Sequence, residues 1–301
     1  FLDPPRTGDA AVVAFNLAYA KIRQHKYDEG RDLLRSLLDA PDAPPDSFTM
    51  LLRCQHHLRE FDDAFQMIET RLQGKTLDAA AAGVASLLYL DAGNFDKAKP
   101  LAEAALQSNP DHVEALVARG SIALGERDVA SARPLLTRAL EHHPQDGRVW
   151  SASAMAHLLE LNLDQALVEF KTAVSFMPNH IGTWHGMGWC NLMKKDLPAA
   201  EQNFETAMAL DRNFGETHGG LAVVLALQGR SEEAKACIER ALRLDPQGLS
   251  ARYAEAVLSG EVADQEAFRR LARRILGART TVGGSTLAYL IPGLNRQPGQ
   301  H

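Results

Sequence analysis

Small side chains recur along this chain at one fixed interval. Gly30, Ala64, Ala98, Ala132, Ala166, Ala200 and Ala234 stand 34 residues apart, and a second small row follows seven residues later in Ala105, Ala139, Ala173, Ala207 and Ala241. Large apolar residues flank the second row: Leu136, Phe170, Phe204 and Ile238 before it, and Leu106, Leu140, Val174, Met208 and Leu242 after it. Offsets of four, seven and eight residues lie on one face of a helix, so each segment predicts an amphipathic helix. Only a backbone crossing close by demands small residues so regularly. Pro110, Pro144, Pro178 and Pro246 keep the same interval, with Arg212 on the vacant node. Proline cannot continue a helix, and the chain is cut into equal helical paragraphs. A fixed period of this length is the signature of a stacked array in which no unit buries its apolar face alone.

Ahead of each such helix lies another. These first helices carry Trp150 and Trp184 one period apart, then Met187-Gly188 and Leu221-Ala222. Turn signals such as Ala92-Gly93-Asn94-Phe95 and Gly229-Arg230-Ser231 separate the two helices of a unit. On this Trp, Leu-Gly, Ala, Phe, Ala, Pro pattern the chain resembles the tetratricopeptide repeat family. The resemblance covers about Ala11 to about Gly248 as seven units starting near residues 11, 45, 79, 113, 147, 181 and 215. Residues 1–10 read as a lead-in and 249–276 as a degenerate eighth unit whose Arg269, Arg270, Arg273 and Arg274 suit a water-facing cap. Residues 277–301 read as a tail with an apolar segment at 286–294. The fold expected from the resemblance is all-α, one elongated right-handed solenoid of helix-turn-helix repeats with a concave inner face that grips peptides.

Composition narrows the function. Aromatics are 6% of the chain, as alanine-mediated packing allows, and a formal net charge of −6 offers no basic stripe for nucleic acid. No apolar stretch of about 18 residues or more is present to span a membrane. The three cysteines neither pair by spacing nor form a metal motif, which favours a reducing, cytoplasmic compartment; a start at Phe1 keeps a periplasmic or secreted one open. Gly74-Lys75-Thr76 lacks the glycine and strand of a phosphate loop, and Gly283-Gly284-Ser285 lacks the context of a nucleophile elbow. Adjacent helical residues such as His56-His57 and His142-His143 point about 100° apart and do not share a metal. The sequence therefore assigns no catalytic residue, no metal ligand and no cofactor.

The expected binding surface is the concave groove. Removing residues committed to packing leaves Ser151, Met155, Leu158 and Leu159, then His185, Trp189, Leu192 and Met193, with Val223 and Leu227 continuing the stripe. The competing reading is core packing between first helices. Trp189 decides for the groove, since it lies outside the Trp150–Trp184 column that already serves packing, with Met155 and Met193 as adaptable walls. Towards the N-terminus the same face offers Phe15, Tyr19, Arg23, Asp46, Thr49, Arg53, His56 and His57, a polar and aromatic set suited to acidic or terminal peptide groups. Only Asn16 and Arg53 suggest the Lys and Asn carboxylate clamp of the family's chaperone-binding members. The tail residues Leu287, Tyr289, Leu290, Ile291 and Leu294 read as a tethered pseudo-ligand for an apolar groove, in this chain or a second copy. The function expected is a non-catalytic interaction scaffold or chaperone-like adaptor for a protein or peptide partner. A substrate-positioning domain of a larger enzyme or secretion machine is the alternative, and a homodimer through tail or groove stays open.

Overall fold

The small-residue rows mark helix crossings, and the structure, a computed structural model, places every one of them at zero or near-zero exposure. It describes residues 7–38, 40–74 and 77–261, with side chains described from Ala10 onward. The expectations for the eighth-unit arginines and for the tail pseudo-ligand fall outside these residues. Among the described residues there are fifteen helices and no strand. In chain order they are α1 (Thr7–Arg23), α2 (Tyr27–Leu37), α3 (Ser47–Leu58), α4 (Phe61–Gly74), α5 (Ala79–Asp91), α6 (Phe95–Ser108), α7 (Val113–Gly125), α8 (Val129–His142), α9 (Gly147–Leu159), α10 (Leu163–Phe176), α11 (Ile181–Met193), α12 (Leu197–Leu210), α13 (Gly215–Leu227), α14 (Ser231–Leu244) and α15 (Leu249–Leu258).

Odd-numbered helices are the first of each pair and even-numbered ones the second. Two compact units are distinguished, residues 1–122 and 123–301, with the boundary inside α7. In the first unit α1 packs on α2, α2 on α3, and α3 on both α4 and α5. In the second each helix from α8 to α15 packs on the next, and the first helices α9, α11, α13 and α15 also touch in sequence.

Phe204 of α12 shows why the small residues are needed. A Cβ added at Gly188 of α11 would lie 2.7 Å from its ring, and one at Gly220 of α13 would lie 2.6 Å from it. The fully buried ring is thus gripped by two helices whose backbones approach through glycine. Phe170 does the same one pair earlier, 2.5 Å from a Cβ at Gly186.

Two local devices repeat with the pairs. Each first helix from α1 to α13 ends in a left-handed residue on the 34-residue grid: His25, Arg59, Gly93, Arg127, Leu161, Lys195 and Gly229, with φ between 59° and 79°. Around Leu161 the amide of Leu161 donates to Leu158 O and that of Asn162 to His157 O, the paired bonds of a Schellman cap. The second device ties the loop between pairs to the next helix. Trp150 Nε1 donates to Pro144 O (2.8 Å), Trp184 Nε1 to Pro178 O (2.7 Å), His218 Nε2 to Arg212 O (2.9 Å) and Arg252 to Pro246 O (2.9 Å), always six residues back. The two tryptophans thus serve as loop staples. They use the indole N–H as much as the ring, and the vacant proline node at Arg212 is stapled like Pro144, Pro178 and Pro246.

The left-handed caps carry a testable strain. Leu161 has φ 63° and is 66% exposed, so its side chain has little packing to lose. A non-glycine residue in this region costs roughly 1–2 kcal/mol, against roughly 0.5–1 kcal/mol for the extra chain entropy of glycine. Leu161→Gly is expected to raise the urea midpoint modestly, and a lowered midpoint would contradict the left-handed cap.

Candidate functional site

In the second unit, α9, α11 and α13 present the same helical slots side by side. Each ends in a large apolar residue, Leu159, Met193 and Leu227, and the caps that follow stop the chain there. Met193 and Leu227 are 43% and 47% exposed, while Leu159 is half-buried against Ala152 and Ala156. The three form a ladder along successive helix ends. Water-facing helix termini ordinarily carry polar residues, and these three are apolar.

The wall beside the ladder is made by Trp189 and His185, one turn apart on α11. Trp189 Nε1 donates to His185 Nε2 at 2.9 Å, which puts the imidazole proton on Nδ1. That Nδ1 is buried without a hydrogen-bond partner. The imidazole stands edge-on to three aromatic rings, Phe204 (5.4 Å), Phe214 (5.8 Å) and Trp189 (6.2 Å between centroids). Burial pushes its pKa down to about 4, against the opposing pull of the Glu216 carboxylate. At neutral pH His185 is therefore an uncharged part of an aromatic cluster. Phe214, exposed at the N-cap of α13, was not singled out by the sequence reading because a loop aromatic sits outside every helical column.

Several expected groove residues turn out to be shared with packing. Trp189 and Leu192, both half-buried, lie against Phe204, Leu221, Ala222 and Val223, and the Trp189 ring meets Phe204 edge-on at 6.0 Å. Met155 and Leu158 of α9 pack beside Phe170 and Ala166. Val223, read as part of the stripe, is fully buried. Packing is not confined to the tryptophan column: Trp184 lies beside the Phe170 cluster and Trp189 beside Phe204. Trp150 and Trp184 staple loops at a half-exposed surface, whereas Trp189 packs between α11, α12 and α13 beside Phe204.

The polar set in the first unit is distributed differently. Tyr19 and Arg23 face solvent on α1, as does Asn16. Arg53 Nε, on α3, reaches Glu114 Oε1 at the start of α7 at 2.8 Å, and His56 Nε2 meets Asp91 Oδ2 at 2.7 Å with its ring buried. Burial opposes the charge on Glu114, but Arg53 and His112 outweigh it and hold the carboxyl below its ordinary range. Tyr27 stacks on His57 at 4.1 Å, Phe15 is half-buried and Thr49 is buried. Arg53 and His56, both expected to line a polar groove, are therefore engaged within the unit. Among the described residues, no three His, Cys, Asp or Glu side chains gather as a metal site, and no helix is long and apolar enough to cross a membrane. The buried Cys54 and Cys190 thiols are pushed up to about 11 and about 12 by desolvation, which leaves them protonated and unreactive.

Comparison with known proteins identifies the repeat class. Two family models, both described as tetratricopeptide repeat, match residues 84–146 and 118–175 and residues 191–258, together just over half of the chain. No curated protein matches the sequence. Among solved structures, a thermophilic protein of the same repeat class from Thermus thermophilus is 23% identical, with a TM-score of 0.52 over 60% of this chain and 99% of that one. The Cut9–Hcn1 hetero-tetramer of the APC/C gives a TM-score of 0.66 at 12% identity, over 96% of this chain and 56% of that one. A repeat protein from Parabacteroides merdae gives 0.51 at 18% identity, over 83% and 97%. At these identities the likeness concerns the fold.

Proposed function

Because the chain belongs to the tetratricopeptide repeat family, we propose that it is a non-catalytic interaction scaffold that receives a partner peptide or amphipathic helix on the first helices of its second unit. The observation that supports this reading is the ladder of half-buried Leu159 and exposed Met193 and Leu227 beside the Trp189–His185 wall. The partner's chemistry follows from the surface. Its contact face is apolar, because the ladder offers no charge, and Met193 supplies a side chain that adapts to irregular shapes. One polar point is available in addition: the unpartnered Nδ1–H of His185 can donate to a carbonyl that enters the wall. An amphipathic helix laying three apolar side chains along three helix ends is the occupant that best suits such a ladder.

Met193→Asp combined with Leu227→Asp tests the reading without touching the core. Putting charge into an apolar contact costs several kcal/mol, so partner capture should fall roughly tenfold or more. The full chain and the double variant are each immobilised, and retained proteins from the source cells are quantified by mass spectrometry. A species lost from the variant, with unchanged circular dichroism and melting temperature, supports the groove. Equal recovery on both chains overturns it.

A further inference from the structure

One place on the second small row departs from its own pattern. Ala105, Ala139, Ala173, Ala207 and Ala241 are all closed to solvent, but one interval before Ala105 stands Arg71 of α4, with an exposed side chain. The same unit departs at the stapling position held later by Trp150 and Trp184. There it has Phe48 of α3, a buried ring with no N–H to donate. The Arg71 guanidinium lies over this ring, 4.2 Å from its centroid.

Beside the pair is a cavity of about 540 Å³, within the range of roughly 300–1,000 Å³ that takes small ligands. Its apolar lining comes from Leu38, at the end of α2, with Phe48 and Met67. Gly74 lines it too, and a Cβ added there would meet no atom within 4 Å, so the cavity is open on that side. Few polar groups face it. Thr70 Oγ1 is already spent on the carbonyl of Gln66, at 2.7 Å, and Arg71 makes no ion pair with the described residues. The cavity therefore joins an apolar lining to one cation whose donors are uncommitted.

We infer that this cavity binds a small monoanion with an apolar body, an alkyl or aryl carboxylate. Leu38, Phe48 and Met67 match the body, and Arg71 matches the head, since a guanidinium resting on an aromatic ring keeps its planar fork for bidentate pairing with a carboxylate. A peptide suits the site less well. Its amides need partners, and the walls here are helices whose backbone N–H and C=O groups are paired among themselves. The cavity lies within the first unit and does not depend on the ladder on α9, α11 and α13.

Isothermal titration of the full chain with decanoate at neutral pH tests this. The expected result is saturable binding at one site per chain, weakened about tenfold or more by Arg71→Met, which keeps an apolar stem over Phe48 but removes the charged donors. Thr70→Trp, which sets an indole into the cavity with Arg71 intact, should abolish binding. Both positions are exposed, so the melting temperature should hold. Met193→Asp with Leu227→Asp should leave the decanoate affinity unchanged, which separates this result from that for the ladder. The absence of saturable binding at millimolar decanoate overturns the proposal, and so does equal affinity in the Arg71→Met chain. Decyltrimethylammonium bound as tightly as decanoate overturns it as well, because the charge of the head would then not be read. A short peptide ending in leucine with a free carboxylate, bound where decanoate is not, would make a polypeptide the occupant and overturn it too.

Discussion

Phe204→Ala is expected to destabilise the second unit by about 3–5 kcal/mol, the cost of deleting a fully buried ring and leaving a cavity that neighbours cannot fill. Collapse is limited because the backbone approaches the ring at Gly188 and Gly220, where no side chain can swing inward. His185 and Trp189 lose their edge-on partner in the same step. A second substitution makes the argument specific. Gly188→Ala alone puts a methyl group 2.7 Å from the Phe204 ring and should cost about 1–3 kcal/mol through overpacking. In the Phe204→Ala background the same methyl enters the cavity and brings the better helix propensity of alanine, worth roughly 1 kcal/mol. Its effect should change sign. Urea denaturation of the four proteins of this cycle measures the coupling, and additive effects would show that Gly188 and Phe204 do not meet.

Trp189→Ala is expected to lose both stability and binding. Trp→Ala in a core costs roughly 3–5 kcal/mol, and Trp189 is half-buried, so a loss near the lower end is expected. It also removes the donor to His185 Nε2. If the ring contributes to the proposed groove as well, partner affinity falls by roughly 2 kcal/mol or more, about thirtyfold. Comparison with Met193→Asp/Leu227→Asp separates the two contributions, because those ladder residues are exposed and carry little of the fold. Thermal melts and partner titrations on both variants decide the matter. A Trp189→Ala protein as stable as the parent would contradict its packing between α11, α12 and α13.

The repeat class and the buried rows could be read from the chain because stacking returns the same environment every 34 residues. A crossing that admits only glycine or alanine admits only them each time, so Ala64 through Ala234 form a column visible without coordinates. The candidate surface was less legible. The ladder of Leu159, Met193 and Leu227 lies on the grid, yet only the coordinates separate the exposed Met193 and Leu227 from Val223, which is apolar, in the same stripe and fully buried.

What the sequence by itself determined is the period, the helical class and the positions that must stay small, since those follow from volume at a crossing and from the 3.6-residue helix repeat. What the tertiary structure decided is wherever several side chains can do one job, or one pair requires distant partners. The left-handed cap announces itself in sequence at Gly93 and Gly229 but not at His25, Arg59, Arg127, Leu161 or Lys195, because the paired bonds of the cap impose the conformation on whatever residue is there. The loop staple asks only for a donor of sufficient reach, and Trp150, Trp184, His218 and Arg252 share no other property. Arg53 and Glu114, 61 residues apart, are joined because the fold sets α3 and α7 within reach across the alanine-rich start of α5, and no local pattern records a distance of that kind.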